Sequence, residues 1–174
     1  RQRGPLGRNR VHVHRSDTSI HQAAKPARPL VTSPRPTTII DAQRLSKKLG
    51  VDLVIASETF QYGGSFKFRA AHNVASHVKQ AHIITASSGN FGQAIAYACS
   101  LFGKRCTVVM PATAPKIKVD AVREHGADVD LVDVNRKGRL ERLAELAKRF
   151  PDAYVARPSD VPPLTEGNAT PGKR

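Results

Sequence analysis

Residues 81–111 read AHIITASSGNFGQAIAYACSLFGKRCTVVMP. The apolar run over 81–87 predicts a strand, the segment 90–101 predicts a helix closed by Gly103, and the run over 105–111 predicts a second strand. A strand, a helix and a strand in immediate succession predict a right-handed crossover that joins two parallel strands. This unit decides the fold class.

The alternation of predicted strands and helices continues before and after this unit. Downstream, the pattern predicts a helix over 114–125 closed by Gly126, a strand over 128–134, a helix over 139–150 and a strand over 152–156. Upstream, it predicts a short helix capped by Asp41 and ended by Gly50, a strand over 51–56 and a helix over 66–79. Alternating strands and helices indicate a parallel sheet covered on both faces. The predicted fold class is α/β, a parallel three-layer αβα sandwich.

Composition limits the domain organisation and the class of protein. The chain has 174 residues, 40% of them hydrophobic, which is enough for one compact domain. We expect a basic extension over 1–32, an α/β domain over 33–160 and the start of a further segment over 161–174. No apolar run reaches the roughly 18 residues of a membrane-spanning helix. Cys99 and Cys106 form no C-x-x-C pair, which predicts buried, reduced cysteines and a cytoplasmic location.

Positive charge is concentrated at the start of the chain. The net charge is +14, and the segment 1–35 holds eight basic residues and one acid. The extension lacks periodicity, which predicts disorder, and a transit peptide or an RNA-binding arm stays open for it. For the rest of the chain this distribution argues against a nucleic-acid partner. His12 and His14 have no third ligand in view, so no metal site is predicted.

The turn S-S-G-N over 87–90 lies between a predicted strand and a predicted helix. Ligands bind at the carboxyl ends of parallel strands, and backbone N–H groups at a helix N-terminus favour an anion. Two interpretations stay open: an anion site, or a simple helix cap at Ser88 or Asn90 with Gly89 in a tight turn.

Lys67 is the candidate nucleophile. It follows the turn 63–65 and stands between Phe66 and Phe68. A lysine in the first turn of a helix is ordinarily a solvated surface residue, and that interpretation stays open. Against it, a nearby cation such as Arg69 and partial burial both lower the pKa of a lysine, and Schiff-base chemistry requires a neutral amine.

Together the two motifs resemble a known family. SETFQYGGSFKFRAA over 57–71, followed by ASSGNFGQAIAYA over 86–98, is similar to the fold-type II pyridoxal-phosphate enzymes, those of the tryptophan-synthase β-chain fold. It most resembles their threonine/serine dehydratase and serine racemase branch. The branch pattern Q-x-T-G-S-F-K-x-R-G-A is matched at Gln61, Gly64, Ser65, Phe66, Lys67, Arg69 and Ala71. The resemblance covers about residues 33–172.

The resemblance implies pyridoxal 5'-phosphate as cofactor and an amino acid as substrate. Lys67 would hold the cofactor as a Schiff base and take the α-proton of a hydroxy amino acid, whose elimination gives a 2-oxo acid and ammonia. Phe66 would pack against the pyridine ring, and Asn90 would hydrogen-bond its phenolic oxygen. Ser88 would exchange a proton on the opposite face in racemase-like members. The residues implied to meet the substrate are Ser87, Ser88, Gly89, Asn90 and Phe91.

The sequence departs from the family pattern at several points. Gly63 replaces Thr, Ala70 replaces Gly, and Phe91 replaces His, which removes a polar group from the substrate side. The family's glycine-rich phosphate loop does not occur before Arg174, so we expect an incomplete site and poor cofactor affinity.

Elimination has three alternatives among the functions that the sequence suggests. Serine racemase-like activity and a non-catalytic fragment with a basic arm for acidic partners stay open, as does a homo-oligomer. Phe68, where cysteine synthases carry Asp, argues against β-replacement.

Overall fold

The computed structural model of the chain describes residues 33–157 and 162–169. The elements in these ranges are β1 (Thr38–Asp41), α1 (Gln43–Leu49), β2 (Val54–Ser57), a 3₁₀ turn (Tyr62–Gly64), α2 (Lys67–His77), β3 (His82–Ala86), α3 (Asn90–Leu101), β4 (Arg105–Pro111), α4 (Lys116–Arg123), β5 (Asp128–Val132), α5 (Arg139–Arg149), β6 (Tyr154–Ala156) and α6 (Pro162–Ala169). The predicted basic extension over 1–32, with His12 and His14, lies outside the described residues.

Four strands form a parallel sheet in the order β5-β4-β3-β6. The central strand β3 places Ile84 opposite Thr107 of β4 and Val155 of β6. Alternate residues of the sheet face two cores. Helices α2, α3 and α4 cover one face, where Ile83 is fully buried, and α5 covers the other, where Ile84 is fully buried. The predicted parallel αβα sandwich is therefore confirmed for this part of the chain.

The strands β1 and β2 form a separate antiparallel pair, with Asp41 opposite Val54. The prediction that Asp41 caps α1 is wrong, because Asp41 ends β1, and Ala42 precedes the helix without a side-chain cap. Gly50 ends α1 as predicted, since its φ of 69° is a conformation that glycine adopts easily. The pattern did not predict β1, because a short run of Thr and Ile gives no sign of a partner strand lying beyond a helix.

Helix α6 packs closely on α2. A Cβ atom placed on Gly167 would lie 2.5 Å from the Cα atom of Ala70. The sequence predicted only the start of a further segment here, because PPLTEGNA contains two prolines and a glycine and gives a weak helical signal. Contact with α2 provides the apolar partner that the helix needs.

Cys99 and Cys106 are free and buried, as the sequence predicts. A hydrogen bond to Cys99 and burial raise the pKa of the Cys106 thiol well above its ordinary value. Because the thiolate is the reactive form, this raised pKa keeps the thiol unreactive at neutral pH.

In the ranges the structure covers, no helix has the length and apolar character needed to cross a bilayer. The same ranges hold no group of three or more His, Cys, Asp or Glu side chains suited to a metal ion.

Candidate active site

The candidate nucleophile follows a turn built on two glycines. Gly63 and Gly64 have φ angles of 69° and 64°, in the left-handed region that L-residues rarely adopt. Thr, the residue of the family pattern at position 63, is β-branched and would be strained there. The hydroxyl of Ser65 then accepts the N–H of Lys67 at 3.3 Å, and α2 begins at Lys67.

Three consecutive residues of α2 take three different environments. Lys67 is half-buried, and its Nζ lies 4.5 Å from the ring centroid of Phe66. Phe68 is fully buried in the core. Arg69 enters an ion pair with Glu58. Successive helical residues point about 100° apart, so the three side chains lie on different sides of the helix and meet different surroundings.

The two sequence motifs meet at one cavity. It has a volume of about 460 Å³ and is lined by Ser65, Phe66, Lys67, Ser87, Gly89, Asn90 and Phe91. The cavity lies at the carboxyl end of β3, where parallel sheets bind ligands. Of the site residues implied by the resemblance, only Ser88 is absent from its lining.

Ser87 stabilises the turn that opens α3. Its hydroxyl accepts the N–H of Gly92 at 3.0 Å and the N–H of Gly89 at 3.4 Å. The predicted alternative, a cap at Ser88 or Asn90, is wrong, because Gly89 is the residue before the helix and no side-chain cap is formed there. Gly92 is also needed for space, since a Cβ on it would lie 3.2 Å from the carbonyl oxygen of Ser87.

Ser88 contacts a residue that the sequence analysis missed. The Nη1 atom of Arg139 donates a hydrogen bond to the Ser88 hydroxyl at 3.2 Å. Arg139 is the first residue of α5 and follows β5, so it lies at the same carboxyl edge of the sheet as the cavity. Its place after a predicted parallel strand was the signal that could have identified it.

Asn90 and Phe91 differ in how exposed their side chains are at the cavity. Asn90 is the first residue of α3 and is exposed at the cavity. Phe91 is 4% exposed and packs in the core beneath α3, so it forms an apolar wall of the cavity. The ring that replaces the family's His at this position therefore lies mostly in the core.

Arg69 does not act as a free cation beside Lys67, contrary to the expectation from sequence. Its Nε and Nη2 atoms donate to the two carboxylate oxygens of Glu58 at 2.7 and 2.8 Å. The hydrogen bond from Arg69 holds the pKa of Glu58 below its ordinary value, with smaller contributions from Thr37 and Gln61 and against the opposing effect of burial. The charge of Arg69 is thus neutralised by a partner that lies eleven residues before it in the chain.

Comparisons with known proteins agree on one family. The family described as "Pyridoxal-phosphate dependent enzyme" matches residues 31–173. The chain is 34% identical over 137 residues to a protein of Homo sapiens named L-serine dehydratase/L-threonine deaminase, covering 77% of this chain and 42% of that protein. It is 30% identical over 141 residues to a serine racemase of Schizosaccharomyces pombe, covering 79% of this chain and 43% of the racemase.

A solved structure gives the same result. The processed form of threonine deaminase isoform 2 from Solanum lycopersicum superposes with a TM-score of 0.73 and 34% sequence identity, covering 83% of this chain and 40% of the deaminase. The chain thus spans less than half the length of these three proteins.

Proposed function

The chain belongs to the pyridoxal-phosphate dependent enzymes, and from this membership we propose that it serves α,β-elimination of serine or threonine to a 2-oxo acid and ammonia. The observation that carries the proposal is the cavity in which Lys67 faces the turn from Ser87 to Phe91. Relatives with serine dehydratase and threonine deaminase in their names support the choice of reaction.

The residues at the cavity fit pyridoxal phosphate. The group is a flat aromatic aldehyde with a phosphate, and the cavity offers a primary amine at Lys67, an aromatic ring at Phe66 and a side-chain amide at Asn90. The ring of Phe66 is 42% exposed, so its face is available for stacking. When bound, the cofactor supplies an electron sink for carbanion chemistry at the substrate Cα.

Lys67 has two roles in the proposed reaction. Its amine would hold the cofactor covalently, and the same amine, once free, would accept the α-proton of the substrate. Both roles need the amine at the cavity, where Lys67 is half-buried and its Nζ lies 4.5 Å from the ring centroid of Phe66.

The turn after β3 serves the substrate. The first residues of α3 present backbone N–H groups at the positive end of the helix, where a carboxylate is stabilised. The guanidinium of Arg139 adds positive charge at Ser88. Asn90 would hydrogen-bond the phenolic oxygen of the cofactor, as the family resemblance implies, and Phe91 would limit the size of the substrate side chain, since both line the cavity.

Racemisation is the second candidate, and one contact favours it. A serine that exchanges an α-proton must pass through an alkoxide-like state, and a charge-assisted hydrogen bond from a guanidinium stabilises that state. Ser88 receives such a bond from Arg139. A cytoplasmic location and a homo-oligomer remain predictions from the sequence.

Trapping of the cofactor on the chain tests the proposal. The protein is incubated with pyridoxal phosphate, reduced with borohydride and digested, and the modified peptide is identified by mass spectrometry. Lys67→Ala is compared with Lys116→Ala, a matched control because Lys116 is likewise the first residue of a helix, but its side chain is 88% exposed and pairs with Asp120 away from the cavity. We expect an adduct on Lys67 that survives Lys116→Ala and is lost in Lys67→Ala.

Three results decide between the proposal and its alternatives. If adducts form on several lysines and the total amount of adduct is the same in Lys67→Ala, the role of Lys67 is contradicted. For a chain that traps the cofactor on Lys67, formation of 2-oxo acid from L-serine or L-threonine supports elimination. Formation of D-serine without 2-oxo acid supports racemisation.

A further inference from the structure

A buried polar network lies behind Lys67 and takes no part in the chemistry described above. Thr37, Gln61 and Arg69 are between 5% and 9% exposed, and the Glu58 side chain is 12% exposed. Besides its two bonds to Glu58, Arg69 donates from Nη2 to the Thr37 hydroxyl at 2.9 Å and to the Arg35 carbonyl at 2.8 Å. Arg69 therefore joins α2 to two segments that precede it in the chain.

Gln61 completes the network. Its side-chain oxygen accepts the N–H of Arg35 at 3.0 Å, and its amide nitrogen donates to the Arg35 carbonyl at 2.9 Å. The Thr37 hydroxyl donates to Glu58 at 2.7 Å. Because the polar groups satisfy one another, the network is rigid, and moving Arg69 would leave several buried groups without partners.

The network and Lys67 lie on opposite sides of the first turn of α2. Residues two apart in a helix are separated by about 200° around its axis, so clamping Arg69 on one side fixes the direction of Lys67 on the other. The clamp is directional because a guanidinium that binds both carboxylate oxygens holds a planar, two-point geometry. Rotation of this turn would break both bonds to Glu58.

The chain between the two partners needs such a constraint. Glu58 and Arg69 lie on either side of the loop that contains Gly63 and Gly64, both with left-handed backbone conformations. Glycine gives this loop more conformational freedom than other residues would. The ion pair joins the two ends of the loop and so limits how Lys67 can be presented to the cavity.

We propose that the Glu58–Arg69 ion pair is a positioning device that fixes the rotation of the first turn of α2 and holds the Lys67 amine at the cavity. The inference rests on the proposed function of Lys67 as the reactive amine. Glu58 and Arg69 are positioning residues in it and touch neither cofactor nor substrate.

The test uses two variants and a matched control. Glu58→Gln keeps the shape of the side chain and removes its charge, and Arg69→Lys keeps the charge and loses the two-point geometry. Asp130→Asn is the control, because Asp130 accepts from Nε and Nη2 of Arg142 at 3.0 and 2.8 Å in a similar pair between β5 and α5. The control removes the charge from a similar but more exposed pair, with side chains 31% and 20% exposed, on the other side of the sheet from α2.

Two readouts are taken for each protein. Without cofactor, acetic anhydride labels the amines, and the rate at Lys67 is divided by the rate at the exposed Lys148 of the same sample. With limiting pyridoxal phosphate, the fraction trapped on Lys67 by borohydride is measured. In Glu58→Gln and Arg69→Lys we expect the labelling ratio to rise severalfold, because the amine leaves its half-buried position. We expect trapping to fall by about tenfold or more, because the amine is misplaced.

Opposite changes in the two readouts distinguish positioning from general destabilisation, which would raise labelling at every lysine. Asp130→Asn should leave both readouts at the unmodified level. An unchanged labelling ratio in folded Glu58→Gln, or failure of both variants to fold, would overturn the proposal in favour of a purely structural ion pair. If the unmodified protein traps no cofactor on Lys67, the proposed function fails, and the labelling ratio still decides the positioning role.

Discussion

At the scale of single residues, Ser87 shows how a side chain outside a helix can stabilise the helix start. It precedes α3 by three residues, and its hydroxyl accepts the N–H groups of Gly89 and Gly92. Ser88, its neighbour, instead contacts Arg139. Two adjacent serines in one motif therefore have different roles, one in the turn and one toward the charged edge of the sheet.

Replacing Ser87 separates these roles. Ser87→Ala removes the acceptor of the Gly89 N–H and one of the two acceptors of the buried Gly92 N–H, which also donates to the Gly89 carbonyl at 3.0 Å. We expect a loss of about 1 kcal/mol in the free energy of unfolding. Ser88→Ala is the matched control, with an expected change within about 0.5 kcal/mol, because Ser88 is partly exposed and satisfies no buried backbone group. Urea unfolding measures both. Equal losses in the two variants would show that Ser87 does not stabilise the turn.

At the scale of elements, the crossing of α2 and α6 depends on the absence of one side chain. Gly167 lies so close to α2 that a Cβ atom on it would be 2.5 Å from the Cα of Ala70 and 2.8 Å from the carbonyl oxygen of Arg69. Both contacts are to backbone, which cannot move aside as a side chain can. The methyl group of Ala70, at a glycine position of the family pattern, is accommodated in this crossing and fully buried.

Gly167→Ala tests the crossing. The added methyl group forces α6 away from α2, and we expect a loss of about 1–3 kcal/mol in the free energy of unfolding, as for other overpacked contacts. Glu166→Ala, on the exposed side of the same helix, should change stability by about 0.5 kcal/mol or less. Thermal and urea unfolding provide the comparison. A Gly167→Ala protein as stable as the control would mean that α6 does not pack on α2 in solution.

At the scale of the whole molecule, the exposed large apolar side chains of the described residues are concentrated on the unit of β1, α1 and β2. Seven large apolar residues of this unit are 40–63% exposed: Ile39, Ile40, Leu45, Leu49, Val51, Val54 and Ile55. A two-stranded sheet alone is marginally stable in water. The solved relative is more than twice as long as the part of it that this chain matches. An apolar surface of this extent favours association with another polypeptide.

We therefore expect the chain to self-associate as its concentration rises. The double variant Leu49→Ser, Val54→Thr should weaken association, because it removes two of the most exposed apolar side chains of this unit, at 57% and 63% exposure. Ile117→Thr is the control, since Ile117 is 78% exposed on α4, away from the unit, and should leave association unchanged. Light scattering over a concentration series measures the effect. A monomer peak at every concentration of the unmodified protein would contradict the expectation.

The sequence by itself determined the elements of the parallel sheet. Helix α3 and strand β4 have the predicted bounds, 90–101 and 105–111, because a helical or strand period together with flanking turn residues is local information. The family resemblance implied that Lys67 and residues 87–91 serve one site, and in the structure Lys67, Ser87 and residues 89–91 line one cavity. Their roles there stay predictions.

Tertiary structure alone decided which polar side chains form hydrogen bonds and ion pairs with one another. Arg69 stands two residues from Lys67 in the chain, yet it pairs with Glu58, and Ser88 receives its hydrogen bond from Arg139, 51 residues away. Asp41 pairs with β2 and does not cap α1. Charged and polar side chains bind whatever the fold brings within about 3 Å, and a single sequence carries no record of those distances. Hydrophobic periodicity and turn residues are local features of the sequence, whereas the pairing of distant side chains depends on the three-dimensional fold.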